Sequence, residues 1–294
     1  MKYEGRVRRR IRQARRLAAA ATHRSAWGAP VIPTYWWDGH PNFGDALTPW
    51  ILPTLGVVPI YREPRHARLV GVGSLLEFMP DGYDGSIWGT GLMSDVEKPL
   101  PGARALAVRG PLTEERIGAG GAAYGDPGLL VSRVLPRPTP HGCFTIVPHG
   151  HHRSHAGLAR LAASSNANVI NVHREAKPTV RDIARGGLVL TTSLHGLITA
   201  DSYGIPAVWT TLEPALGGGD FKFRDYEAAV TPGRSRFVAF DDIATADDIE
   251  RYASRADAAR VAELNDGLVA AARGIVGEGL VGAVRRFPGG VLGA

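Results

Sequence analysis

Thr191-Thr192-Ser193-Leu194-His195-Gly196 sets a polar turn after an apolar run and a histidine in the first turn of the helix that should follow. The positive end of a helix lowers a histidine pKa and makes the charged ring a readier proton donor, so His195 is a candidate for proton transfer. Arg109 stands where the run Arg104 to Val108 ends and a helix begins, a place from which a guanidinium can grip phosphate or carboxylate with two parallel hydrogen bonds. Gly217-Gly218-Gly219-Asp220 and the bases Lys222 and Arg224, alternating with aromatics, read either as a mobile surface loop or as a closing loop that carries a cation to an anion. Asp45, in Asn42-Phe43-Gly44-Asp45, can cap a helix or act on a substrate hydroxyl. Gly71-Val72-Gly73-Ser74 can turn tightly for packing or offer backbone N–H groups to an anion. His149 leads the cluster His149, His151, His152 and His155 and is the member placed to face a cleft, its neighbours decorating the next helix. No HExxH pattern or nearby acid completes a ligand set there, so no metal is expected. Gly125-Asp126-Pro127-Gly128 has the composition of a structural turn.

Alternating strands and helices must position these groups. Strands are expected over Val31 to Trp37, Val57 to Tyr61, Arg68 to Gly71, Ser86 to Trp88 and Arg104 to Val108, with helices near Ala46 to Leu55, Leu75 to Met79 and Pro111 to Ile117. Pro136-Arg137-Pro138-Thr139-Pro140 interrupts the pattern, since it can neither continue a helix nor pair as a central strand. The alternation then restarts, with strands at Cys143 to Val147, Val169 to Asn171, Leu188 to Thr191 and Ile205 to Trp209 and helices at His155 to Ala163, Val180 to Ala184 and Leu194 to Tyr203. Thr245 and Asp248 have the spacing of a capping box ahead of one long Ala-rich helix, Asp247 to Arg273. Two open α/β domains in series, over residues 31–136 and 141–244, follow, with a C-terminal helix and tail at 245–294. Ligands of such sheets bind beyond the carboxyl ends of the strands.

The net charge of +6 and pI near 9.7 suggest a polyanion partner until the charge is located. Residues 1–24 hold nine bases and one acid, leaving 25 bases and 27 acids in the other 270 residues. A nucleic-acid-binding surface on the body is therefore not expected. The basic arm, residues 1–28, reads as a helix with Val7, Ile11, Ala14 and Ala18 on one face, either solvated or resting on anionic lipid. One cysteine excludes an internal disulfide, and no apolar run has the length of a membrane span, so the expected location is cytoplasmic, with the inner membrane face as a peripheral contact. GxxxxGK[ST], GxSxG and DxD are absent, which removes common NTPase, hydrolase and metal-dependent sugar-nucleotide readings.

In chain order, NFGDALTPWIL, VGVGSLL, WGTGLM, AVRGPLTEERI, YGDPGLL, IVPHG, TTSLHGLITADSYGIPAVW and FKFRDY resemble the polysaccharide pyruvyl transferase family, in particular its bacterial exopolysaccharide branch. The resemblance runs from about Tyr35 to Tyr226. It implies an α/β fold of two Rossmann-like domains facing a cleft, as in GT-B glycosyltransferases. It also implies phosphoenolpyruvate as donor substrate with no further cofactor, and a saccharide acceptor, polymeric or lipid-linked, on which a pyruvate ketal bridges two hydroxyls. On that reading Arg109, Lys222, Arg224, His149, Gly73, Ser74 and Ser193 hold the donor, His195 protonates its methylene carbon, and Asp45 or His149 takes the hydroxyl proton. Ser193 stands where some members carry arginine. The alternatives are a glycosyltransferase using a sugar nucleotide and a non-catalytic glycan-binding relative.

Overall fold

The computed structural model describes residues 5–276 and 285–286. The first four residues of the basic arm and most of the tail after Val276 lie outside the described residues.

The first half forms strands β1 (Pro30–Tyr35), β2 (Val58–Tyr61), β3 (Leu69–Val70), β4 (Ser86–Trp88), β5 (Arg104–Val108) and β6 (Ala123–Tyr124). All pair in parallel, and β1 lies between β2 and β3, giving the order 2-1-3-4-5-6. The second half contributes β7 (Phe144–Val147), β8 (Asn168–Val169), β9 (Leu188–Thr191) and β10 (Ala207–Trp209), also parallel, in the order 8-7-9-10. A short β11 (Arg285–Arg286) pairs antiparallel with β1. Each sheet therefore reverses strand order once, between β1 and β3 in the first and between β7 and β9 in the second. A crevice opens at such a reversal because the connections leave on opposite faces.

The helices are α1 (Arg6–Ala21), α2 (Leu47–Ile51), α3 (Pro111–Ile117), α4 (Val131–Val134), α5 (Ala156–Ser164), α6 (Ala176–Ala184), α7 (Leu194–Ser202), α8 (Phe221–Val230), α9 (Ala246–Tyr252) and α10 (Ala258–Arg273). Strand periodicity sorts the core. Leu69, Trp88 and Ala107 enter one cluster while their neighbours Val70, Ile87 and Val108 enter another on the opposite face. The second sheet divides alike: Val147, Val189 and Ala207 share the cluster of Leu69 and Trp88, and Ile146, Leu190 and Val208 face outward to a third. The inner faces of both sheets thus feed one continuous apolar core. Helix α10 closes it by returning to the first sheet, where the Trp88 indole donates to the Leu268 carbonyl at 3.0 Å.

Several elements depart from the sequence expectation. The expected helix Asp247 to Arg273 is two. The Thr245–Asp248 capping box is present, but α9 ends at Tyr252 and Asp257 caps α10 anew by accepting from the Arg260 N–H at 2.8 Å. The segment after the triglycine is helix α8, neither a mobile surface loop nor a closing loop. Strand β6, outside the strand ranges expected above, ends directly before the Gly125-Asp126-Pro127-Gly128 turn. The basic arm is helical as expected, yet it is not a free solvated arm: the buried Asp38 carboxylate receives Arg12 at 2.7 Å, Arg16 at 3.3 Å and Arg9 at 3.4 Å. Arg16 also reaches Glu175 at 3.2 Å, so α1 ties the β1 loop to the start of α6.

Candidate active site

The loops leaving both reversals meet in one cavity of about 410 Å³. From the first sheet come Trp37, His40, Asn42 and Asp45 after β1, and Ser74, Leu75 and Phe78 after β3. The second sheet supplies His149 and His151 after β7, and Ser193, Leu194 and His195 after β9. Lys222 enters from the first turn of α8 and is the lysine or arginine in the lining among the described residues.

Local sequence explains the precision of the β9–α7 turn. The Thr191 hydroxyl accepts from the Ser193 N–H at 2.9 Å, and a side chain on Gly196 would meet that hydroxyl at 2.4 Å. Thr192 joins the two second-sheet loops, its hydroxyl accepting the His149 N–H at 2.8 Å and contacting His152 Nδ1 at 3.0 Å. His152 is thereby buried and also reaches the Pro214 carbonyl at 3.0 Å; it does not decorate a helix surface.

His195 lies edge-on to Phe43 and against Gly44, where an added Cβ would sit 2.1 Å from its Nδ1. Glycine is required there for close approach rather than for backbone freedom. The other ring nitrogen, Nε2, is buried without a hydrogen-bond partner and faces Asp126 Oδ2 at 3.9 Å. Burial, then the charges of Lys222 and Arg109, press the His195 pKa down to about 3, so the ring is neutral near pH 7. Burial likewise pushes Asp45 up to about 7, against the opposing pull of Arg16 and an Asn42 hydrogen bond. Asp126 also rises to about 7, through burial. Desolvation followed by Arg109 lowers Lys222 to about 8, and desolvation followed by Lys222 lowers His149 to about 3. Two buried carboxyls that keep protons near neutrality beside a neutral imidazole form a set able to exchange protons at the working pH.

Of the residues expected from sequence, the cavity gathers Asp45, Ser74, His149, Ser193, His195 and Lys222. Three lie elsewhere. Arg109 is fully buried beneath the floor, paired with Asp225 at 2.8 Å, and it donates to the Ser74 hydroxyl at 2.7 Å and the Leu92 carbonyl at 2.5 Å. Its donors serve the scaffold, and Gly91 makes room for the guanidinium, 2.4 Å from where a Cβ would stand. Gly73 directs its N–H to Asp126 at 3.4 Å instead of into the cavity. Arg224 points away, pairing with Asp220 at 3.1 Å and Asp95 at 3.8 Å. The helix explains this: residues two apart stand about 200° apart around the axis, so Lys222 inward puts Arg224 outward.

Asp126, Asp225, Trp37 and Phe78 are the groups that sequence reasoning missed. Asp126 had the look of turn chemistry and does cap a turn, accepting the Gly128 N–H at 2.8 Å, but its second oxygen looks toward His195. Asp225 caps α3 through the Thr113 N–H at 2.8 Å while neutralising Arg109. Trp37 and Phe78 pack in a tilted pair with centroids 5.5 Å apart and an interplanar angle of 31°, forming an aromatic wall of the cavity.

The chain is 32% identical over 208 residues to the succinoglycan biosynthesis protein ExoV of Rhizobium meliloti (strain 1021). That alignment covers 66% of this chain and spans 63% of the relative's length. No family model matches the chain. No group of three or more His, Cys, Asp or Glu side chains suited to a metal ion occurs among the described residues. No helix among them is long and apolar enough to cross a membrane.

Proposed function

We propose that this cavity transfers pyruvate from phosphoenolpyruvate to two hydroxyls of a saccharide, forming a cyclic ketal and releasing phosphate. The observation that carries the reading is the convergence of Lys222, Ser74, Asp45 and His195 from both sheets on one cavity, a set suited to an anion and to proton transfer. The motif resemblance in the same loops and the similarity to a succinoglycan biosynthesis protein support a saccharide as acceptor.

Lys222, with the Ser193 and Ser74 hydroxyls, holds the phosphate and carboxylate of the donor. Arg109 contributes from below by fixing Ser74. Asp45, half protonated near neutrality, delivers a proton to the methylene carbon, which becomes a methyl group and leaves oxocarbenium character at the central carbon. One sugar hydroxyl attacks that carbon, and its proton passes to neutral His195. Negative charge on the donor offsets the Coulomb part of the His195 depression, and the Asp126 carboxyl behind Nε2 favours the resulting imidazolium. Phosphate then leaves with the carbon–oxygen electron pair and takes the proton held by His195, and the second hydroxyl closes the ketal as its proton returns to the Asp45 carboxylate. The protonation states thus exchange the acid and base roles that sequence alone suggests for His195 and Asp45. The Trp37–Phe78 wall offers an apolar face to the C–H side of the acceptor sugar ring.

The test is ligand-induced thermal stabilisation followed by turnover. Phosphoenolpyruvate should raise Tm by mass action. Phosphate should then be released only when a saccharide acceptor is added. Stabilisation by a UDP-sugar and none by phosphoenolpyruvate would replace this reading with glycosyl transfer; stabilisation by a saccharide alone would leave a glycan binder.

A further inference from the structure

Helix α1 is amphipathic in an inverted sense. Its docked side is polar: Arg9, Arg12, Gln13 and Arg16 converge on Asp38, with Glu63 and Glu175 taking further bonds from Arg9 and Arg16. At about 100° per residue these positions cluster on one side of the helix, and Val7, Ile11, Ala14 and Ala18 cluster on the opposite side. That apolar stripe faces outward, Val7 being 71% and Ile11 48% exposed, with Ala14 and Ala18 exposed as well. Arg6 and Arg10 flank the stripe on one edge and Arg8 and Arg15 on the other, all four exposed. Trp27, six residues beyond the helix, is 70% exposed.

A soluble helix ordinarily buries its apolar face and turns its charges to water. Here the inward arginines are committed to buried and rim carboxylates, and the outward side keeps a narrow apolar stripe between two rows of cations. We infer that the outward face of α1 is a docking surface for an anionic lipid bilayer. The helix lies in the plane of the interface, Val7 and Ile11 enter the acyl boundary, and Arg6, Arg8, Arg10 and Arg15 meet lipid phosphates on either side. Charge complementarity selects this occupant, because cations on both edges of a stripe two side chains wide suit a continuous anionic sheet. The length fits an in-plane helix, since the 16 residues span about 24 Å. Asp38 belongs to the same loop as the cavity residues Trp37 and His40, so docking through α1 would hold the cavity rim near the membrane surface. The inference does not rest on the proposed transfer reaction.

The full-length protein is tested by flotation with vesicles of phosphatidylcholine alone and of phosphatidylcholine with phosphatidylglycerol. Binding is expected only with phosphatidylglycerol and should weaken as salt screens the arginines. Val7→Asp with Ile11→Asp should abolish flotation, and Arg8→Glu with Arg15→Glu should weaken it about thirtyfold or more, while circular dichroism and Tm stay unchanged because these side chains face away from the body. Wild-type protein that stays unbound, or variants that float as well as wild type, would overturn the inference. A second copy as the occupant would overturn it too, and would show in light scattering as a dimer that Val7→Asp with Ile11→Asp converts to monomer without any vesicle binding.

Discussion

Gly44→Ala tests the placement of His195 most directly. The substitution adds one methyl group whose carbon would lie 2.1 Å from His195 Nδ1, 2.5 Å from Cγ and 2.8 Å from Cε1. Ordinary contact begins near 3.4 Å, so the ring must withdraw by more than 1 Å or rotate out of its place between Phe43 and Asp126. Gly44 does not have the positive φ that would penalise alanine, so the strain falls on the imidazole. Overpacking of this kind costs about 1–3 kcal/mol of stability. A misplacement of about 1 Å in a reacting group costs about a hundredfold in rate. On the proposed reaction, phosphate release from phosphoenolpyruvate and acceptor should therefore fall about a hundredfold in kcat, with donor-induced stabilisation retained through Lys222. A double-mutant cycle supplies a readout independent of turnover. In Gly44→Ala with His195→Ala the ring that clashes is gone, so the alanine at position 44 should cost far less stability than it does alone. Full kcat in Gly44→Ala, or strictly additive stability losses in the cycle, would refute the placement of the ring and the role given to it.

Asp45→Asn should stabilise the protein in a pH-dependent way. The folded pKa of about 7 lies above the ordinary 3.8, so the folded state holds a proton that the unfolded state has released, and wild-type stability from this group is lost as pH rises from about 4 through 7. Asparagine carries no such cost, so the Tm advantage of the variant should be absent below pH 4, grow to a plateau above pH 7, and correspond at most to about 4 kcal/mol; a gap independent of pH in differential scanning calorimetry would show that Asp45 does not titrate as described. Lys222→Met should remove most of the thermal stabilisation by phosphoenolpyruvate, and in wild type that stabilisation should decline as pH rises past about 8 and the ammonium deprotonates; a methionine variant stabilised as well as wild type would remove Lys222 from the donor site. Asp225→Asn leaves the Arg109 guanidinium buried beside a neutral amide and should cost about 3–5 kcal/mol in denaturant unfolding, whereas a loss below 1 kcal/mol would mean that the pair is not needed to hold α8 against α3.

Strand and turn chemistry were legible because they are local. Ser86–Trp88, Arg104–Val108 and Leu188–Thr191 are strands over the residues that alternation and punctuation suggest, and the turn from β9 into α7 puts His195 where its position in the sequence implies. What failed depended on partners far along the chain. An arginine at a strand end reads as a ligand until its counter-ion is known, and Asp225 lies 116 residues from Arg109. Asp126 fits a turn by composition, and nothing within the turn marks the histidine it faces across 69 positions. The arginines of α1 look free because Asp38, Glu63 and Glu175 are scattered through the body. Lys222 and Arg224 could not be separated while FKFRDY was read as a loop, since opposite orientations follow only from the helical period.

Helix α8 explains why the site needs both sheets. Phe223 stacks on Trp209 of β10 at 4.4 Å, fixing the helix to the second sheet. Asp225 fixes it to the first through Arg109 and the start of α3, and the Tyr226 hydroxyl reaches Asp201 on α7 at 2.8 Å. Asp201 in turn pairs with Arg236, which also binds Glu227, so each polar group on the inward side of the helix is matched. Lys222 is the exception: 8% exposed and lining the cavity, it has no carboxylate ion pair among the described residues, only the Phe223 ring centroid 5.9 Å from Nζ, and desolvation lowers its pKa. A buried cation is costly unless something pairs it. With the neighbouring Asp45 half protonated near neutrality, an anionic ligand would complete the compensation for Lys222, and the helix that carries this lysine is clamped by side chains to both sheets. The cost of holding Lys222 unpaired is thus borne by the α8 clamp, and the same clamp sets the distance between the loops of the two strand-order reversals that an anion and its acceptor would have to bridge.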